Sequence, residues 1–251
     1  MRVNYFFISD LHIEHRSVIP FTESQYAILP KNGNTVSFDG NEWVLPPDIP
    51  SSTDQWKDRI CSNWNRVVGR SDIVYICGDI TYRNKPEVAV KYLNSLFGTK
   101  RIVYGNHDSE LIKYLTKNPQ NGIELVGSYV DTYIPMSRGR SAEHVIMSHC
   151  PIFSYDGCGR GSIHIFGHIH VSPVENKAYI DSMRAAFGHL DPGPLFVNVG
   201  AMLPWMNFCP RTLDELMPTM LMNRGPKLEA PSGQLRFRDL GSVAGSGNNR
   251  Q

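Results

Sequence analysis

Long apolar runs are missing from this sequence of 251 residues: nothing approaches the roughly 20 consecutive apolar residues that a bilayer-spanning helix requires. The apolar start MRVNYFFISD is broken by Asp10 too early for the core of a signal peptide. Paired cysteines are missing too. Cys61, Cys77, Cys150, Cys158 and Cys209 lie far apart with no C-x-x-C, an odd set that suits free thiols in a reducing compartment, and the cytoplasm is the expected location. Nor is there a charge imbalance. The formal net charge is +1, so neither a nucleic-acid footprint nor an attraction to anionic membranes is visible, although a local groove could still be basic. No dedicated nucleic-acid-binding domain and no internal repeat is seen. Oligomeric state is not legible in the sequence.

What is present is ordinary for a globular α/β chain: 41% hydrophobic and 20% charged residues, enough for one domain with a well-buried core. Short runs rich in Val, Ile, Phe and Tyr predict strands at residues 3–8, 73–77, 101–104, 144–148, 162–166 and 195–199. Between the early ones lie helical patterns. Trp56, Ile60, Trp64, Val67 and Val68 share a face, with Asp54 or Thr53 as the expected cap and Gly69 as the end. Pro86 opens a second helix that Gly98 stops, and a third starts near Asp108 and carries Leu111, Ile112 and Leu115. This alternation predicts βαβ units in the first half and a mixed or antiparallel sheet in the second. One domain is expected over residues 1–240, with 24–50 an inserted hairpin or loop and 241–251 a Gly/Ser/Asn-rich tail.

The chemistry sits where the strands stop. The first is followed by Ser9-Asp10-Leu11-His12, the second by Gly78-Asp79 and the third by Gly105-Asn106-His107-Asp108. The fourth ends in Ser148-His149-Cys150-Pro151 and the fifth in Gly167-His168-Ile169-His170. Each fragment alone is weak, because turns use Gly and Asp for backbone reasons. Together they place five of the nine histidines at strand ends, and in open α/β sheets such loops converge on one crevice. Imidazole, carboxylate and amide donors in that crevice point to a metal site of mixed nitrogen and oxygen ligation.

In this order, D-x-H, G-D, G-N-H-D, H and G-H-x-H, the fragments resemble the signature of the calcineurin-like metallophosphoesterase superfamily. The later stretch VNVGAMLPWMNFCPRTLDEL looks like the close of small phosphoesterases of bacteria and phages. The resemblance implies a four-layer α-β-β-α sandwich, with two mixed β-sheets flanked by helices. It implies that Asp10, His12 and His170 hold one divalent ion, that Asn106, His149 and His168 hold a second, and that Asp79 bridges them. His107 would face the substrate as the catalytic group, with Asp108 orienting its ring. The reaction implied is hydrolysis of a phosphomonoester or phosphodiester, possible substrates including nucleotides, by attack of a metal-bound hydroxide. Two dications set against two aspartates and a hydroxide leave about one positive charge to attract the anionic ester. Mn is the first choice by resemblance, with Fe, Zn, Ni or Co suited to the same donors.

Weaker signals surround this set. His15 in DLHIEH and Arg160 in the glycine-rich DGCGRG are candidates for substrate contact, set against solvated loop residues. His144 and His164 lie in strand-like runs and read as packed or outward-facing rings. His189 has no supporting context, and Arg138 and Arg140 lie farther from any motif. The tryptophans 56, 64 and 205 read as core. A Cys150 nucleophile and an HD-type phosphohydrolase, suggested by His107-Asp108, both fit poorly; the second is a helical family, whereas this dipeptide follows a strand. Two further alternatives share the fold: a non-catalytic interaction scaffold, disfavoured because every donor position is filled, and a nuclease using the same site.

Overall fold

A computed structural model describes residues 3–20, 22, 31–32, 35–38, 41–44, 49–136, 141–187 and 193–222; within 31–44 and at 221–222 it describes the backbone alone. Arg138, Arg140, His189 and the tail 241–251 lie outside the described residues.

The first sheet has the order β12-β1-β5-β6-β7. Strands β1 (Tyr5–Ile8), β5 (Ile73–Ile76), β6 (Thr99–Val103) and β7 (Ile123–Gly127) run parallel, with β12 (Arg211–Thr212) antiparallel at the edge. Parallel neighbours need long crossovers. Helices α1 (Thr53–Val67), α2 (Pro86–Ser95) and α3 (Ser109–Lys117) lie in the three crossovers between these strands. The second sheet, β11-β10-β9-β8, is also mixed. There β9 (Glu143–Ser148), β10 (Ile163–Phe166) and β11 (Leu195–Asn198) are parallel, and β8 (Tyr129–Ile134) is antiparallel to β9. Two mixed sheets with helices are the expected architecture. Strands β10 and β11 are buried at every residue, as the near-continuous apolar sequences IHIF and LFVN require.

Helix α1 shows how the sequence pattern becomes packing. Trp56, Ile60 and Trp64, spaced by four, are its buried face. Burying a side chain such as Ile60 contributes about 1.5–3 kcal/mol. Trp56, Trp64 and Trp205 are core, and each indole also donates to a backbone carbonyl: Trp56 to Leu11 at 2.8 Å, Trp64 to Phe97 at 2.9 Å, Trp205 to Asn198 at 2.8 Å. The cap is Ser52, whose hydroxyl accepts from the Gln55 N–H, rather than Thr53 or Asp54. Helix α2 starts at Pro86 as expected but ends at Ser95, two residues before the predicted limit.

Helices α4 (Pro173–Ala185) and α5 (Leu213–Met222) escape the sequence reading. Helix α4 opens on a capping box, Ser172 and Glu175, a signal present in the sequence as SPVE. Helix α5 follows β12. Strands β7 and β8, separated only by Ser128, were also missed; they carry the chain from one sheet to the other. Within the range 31–44, a small antiparallel sheet is formed by β2 (Lys31–Asn32), β3 (Thr35–Phe38) and β4 (Asn41–Val44).

The sheets are stitched together just beyond their strand ends. Ser9 donates its N–H to the Val199 carbonyl at 2.8 Å, and Ala201 donates to the Ser9 carbonyl at 2.9 Å. The Ser9 hydroxyl reaches the Cys77 carbonyl at 2.7 Å. Val199 donates to the Phe166 carbonyl at 2.8 Å, so the loops after β1, β5, β10 and β11 meet at one place.

Candidate metal centre

The donors after β1 and β5 depart from ordinary backbone geometry. Asp10, His12 and Asp79 have φ of 57°, 44° and 53°, and His168 after β10 has 68°. Side chains rarely accept this left-handed region, and when they do the strain marks sites that the surrounding structure enforces. The neighbouring glycines are required by close approach. A Cβ on Gly105 would collide with the Asp79 amide and carboxylate, and one on Gly167 with the Ser9 hydroxyl and the Asp10 carboxylate. Any side chain at either position would push two donor loops apart.

Asp10, His12, Asp79 and His149 form a buried floor, while His170 is half-buried and Asn106 and His168 are exposed. At this site the donor atoms fall into two groups, each within 4.8 Å: Asp10, His12, Asp79 and His170, then Asp79, His149 and His168; a third group, Asp131, His144 and Asp156, lies apart. Asp79 belongs to both. In the first, the His12 and His170 Nε2 atoms are 2.9 Å apart, with Asp10 Oδ1 3.8 Å from His12 and 3.3 Å from His170. In the second, His149 Nε2 lies 2.9 Å from Asn106 Oδ1, and 3.2 Å from both Asp79 Oδ2 and His168 Nδ1.

These contacts are between acceptors. His149 donates its Nδ1–H to the Cys77 carbonyl at 2.8 Å, so in the neutral ring Nε2 carries a lone pair. A carboxylate oxygen, an amide oxygen and another imidazole nitrogen converge on that lone pair, an arrangement that needs a cation between them. A proton can serve: burial pulls His149 down, but the Asp79 hydrogen bond and the charges of Asp10 and Asp79 outweigh it and hold the ring at about 9. A divalent ion serves better, and the donor set fits one in each group. Asp10 is ready to be an anion. Burial would raise it, yet His170, His12 and His149 keep its carboxyl at about 2. Burial lowers His12 to about 4, leaving the neutral ring a metal would require.

His107 follows Asn106 on the rim. Its N–H donates to Asp79 Oδ1 at 3.0 Å, and its Nε2 lies 3.9 Å from Asp79 Oδ2 with the side chain 37% exposed. The expected role of Asp108 is corrected. Its buried carboxylate accepts the backbone N–H groups of Asp79 (2.8 Å), Ile80 (2.9 Å) and Gly105 (3.1 Å) rather than bonding to the His107 ring. Asp108 clamps the Asp79 and Asn106 loops together. Burial, and next the Asp79 charge, raise it to about 6 despite those three amides.

Arg160 is not brought to the cluster. It sits in a 3₁₀ turn, Cys158–Arg160, and its exposed guanidinium reaches Asp156 at 3.4 Å. His15 is brought there, but against a donor: its Nδ1 is 3.1 Å from Nδ1 of His12. His164 is a packed ring between the Ile146 carbonyl and the Ile152 N–H, and burial lowers it to about 4. His144 pairs with Asp131 at 2.8 Å, away from the donor groups. Partial burial, together with Asp79 and Asp10, pushes the Cys150 thiol up, which works against a thiolate nucleophile.

Of two further site neighbours, Tyr82 was not read from the sequence, and Asn198 entered only within the VNVG stretch of the family resemblance. Tyr82 stacks on His15, with centroids 3.9 Å apart, and meets His107 edge-on at 4.8 Å. Asn198, at the end of β11, donates to the Ile169 carbonyl inside the G-H-x-H loop at 3.2 Å. Its place after a buried strand was a signal; Tyr82 had none.

Two mixed sheets thus gather acidic, amide and imidazole donors at their joined strand ends. Residues 3–172 match the sequence profile described as calcineurin-like phosphoesterase, and the chain belongs to that family. It is similar to an uncharacterized protein of Methanocaldococcus jannaschii, 28% identical over 104 residues that span 41% of this chain and 46%, about half, of that relative. A crystal structure of a protein of unknown function from Aquifex aeolicus is similar with a TM-score of 0.50 and 16% identity, covering 87% of this chain and all of that one. At that identity the likeness speaks for the fold alone.

Proposed function

We propose that this protein is a dinuclear metal-dependent phosphoesterase hydrolysing phosphomonoesters or phosphodiesters. The observation that carries the reading is Asp79, the one carboxylate shared by two adjacent donor groups. Asp10, His12 and His170 would hold one ion and Asn106, His149 and His168 the other, with Asp79 between them. Bound there, the ions supply Lewis acidity and lower the pKa of water, so no side-chain nucleophile is needed.

The chain's own residues do the rest. Buried Asp10 and Asp79 are held in place by backbone N–H groups of the opposite loops: His168 donates to Asp10 at 3.1 Å, and His107 to Asp79 at 3.0 Å. His107, half-open to solvent on the rim, binds the phosphoryl oxygens and gives the proton on its Nε2 to the departing ester oxygen, regaining one from solvent after the product leaves. The Tyr82 edge confines its ring. Because every donor position is filled by a competent side chain, the catalytic reading is preferred to a scaffold.

Metal analysis of the purified protein is expected to find about two transition ions per chain, and hydrolysis to stop on chelation and return with Mn. Activity that persists in metal-free protein overturns the proposal. A panel of a monoester, a diester, a 2′,3′-cyclic nucleotide, a dinucleotide and single-stranded DNA then separates the monoesterase, diesterase and nuclease readings.

A further inference from the structure

The two buried imidazole donors keep their proton in different ways. His149 gives Nδ1–H to the Cys77 carbonyl, which can only accept, so the ring has one usable tautomer. His12 has no such carbonyl among its side-chain partners in the described residues. Its Nε2 faces His170, and also Asp10 and Asp79 at 3.8 and 3.9 Å. Its Nδ1 faces Nδ1 of His15 at 3.1 Å. For Nε2 to offer a lone pair to a cation, the proton of neutral His12 must sit on Nδ1. The acceptor for it is the Nδ1 lone pair of His15, which places the His15 proton on its own Nε2.

The His15 ring is held for this. Tyr82 lies against it at 3.9 Å and 20° between planes, and the Arg83 guanidinium lies 5.1 Å from the Tyr82 ring centre. The loops carrying the two rings are tied by the Ile13–Thr81 bridge and by Asn84 donating to the Ile13 carbonyl at 2.9 Å. Tyr82 itself is half-buried.

We infer that His15 is a positioning residue for the first metal site: its Nδ1 accepts the Nδ1–H of His12, fixing the tautomer that aims His12 Nε2 at the ion, while the Tyr82 ring holds His15 in place. This rests on the two-metal reading and replaces the substrate contact expected from the sequence. Partners that orient a ligand imidazole in this way are worth about 10–100-fold in metal affinity.

The test is metal binding by the full chain with Mn as the probe, followed by equilibrium dialysis and by the spin-coupled resonance of a Mn pair. His15→Phe keeps a ring against Tyr82 but removes the acceptor. One ion is expected to bind as in the wild type and the other about 10–100-fold more weakly, with loss of the coupled signal. The unfolding midpoint of the metal-free protein should not move, which separates positioning from a general structural role. His15→Gln restores an acceptor and is expected to recover part of the affinity. Tyr82→Ala, which leaves both imidazoles, should weaken the same ion by less and answers the question if His15→Phe does not fold. Two ions bound at wild-type affinity in His15→Phe, or His15→Gln binding no better than His15→Phe, overturns the inference. Wild-type protein that binds fewer than two ions overturns the two-metal reading instead.

Discussion

The two sheets deliver different chemistry to the crevice between their ends. Strands β1, β5 and β6 of the first lead into all the oxygen donors, Asp10, Asp79 and Asn106, along with His12 and His107. Strands β9 and β10 of the second lead into imidazoles alone, His149, His168 and His170. Both donor groups draw on both sheets, so neither sheet could assemble either one by itself. A second contrast lies inside the second sheet. His149 and His164 are both buried, yet His149 is raised to about 9 and His164 lowered to about 4. Burial lowers both; the carboxylates of the first sheet reach only His149. A ligand is defined by the company its nitrogen keeps rather than by its depth.

The division of labour between the sheets can be broken most severely at Asp79. Asp79→Ala removes the shared oxygen and is expected to cost both ions and about a thousandfold in turnover, whereas His168→Ala should cost one ion; metal analysis beside a hydrolysis assay distinguishes them. If Asp79→Ala kept two ions, the bridge would be wrongly placed. His107→Asn tests the rim residue of the first sheet that is not a donor. Turnover should fall on the order of a hundredfold with metal content unchanged, and loss of an ion would make His107 a ligand after all.

Asp108→Ala sharpens the comparison through stability. Three backbone amides lose their acceptor, each worth roughly 1–3 kcal/mol, so urea unfolding should show a loss of about 4 kcal/mol with some amides rescued by water. The smaller of the two stability effects concerns His164, in chelator. Its folded ring titrates near 4 and an unfolded one near 6.5, so as pH falls through that window the unfolded chain takes up the proton first and stability drops. The drop attributable to this ring is on the order of 3 kcal/mol, and His164→Gln should flatten it in pH-dependent unfolding; an unchanged slope would mean that the ring protonates freely in the folded protein.

Six strands, three helices and the donor loops were legible because each depends on local preference. Val, Ile and Phe runs suit buried pleats, Pro86 opens a helix, Gly78 takes a left-handed turn, and Gly105 lets the donor loops approach. Strand β8, with its alternating exposure, and helix α4, hidden behind the G-H-x-H motif, were not read, although the Ser172–Glu175 capping box was in plain sight. Asp108 was misjudged because adjacency to His107 suggested contact. In the fold its carboxylate turns to the amides of Asp79 and Ile80, nearly thirty positions away.

The sequence by itself determined which imidazole, carboxylate and amide side chains stand at the strand ends and their order along the chain, because strand ends and turns are written in short-range backbone preferences. The tertiary structure alone decided that Asp108 is a clamp, that Arg160 stays with Asp156, and that His15 meets His12 beneath Tyr82. Hydrogen-bond partners depend on which loops the sheet order brings face to face, and side-chain spacing carries no record of that.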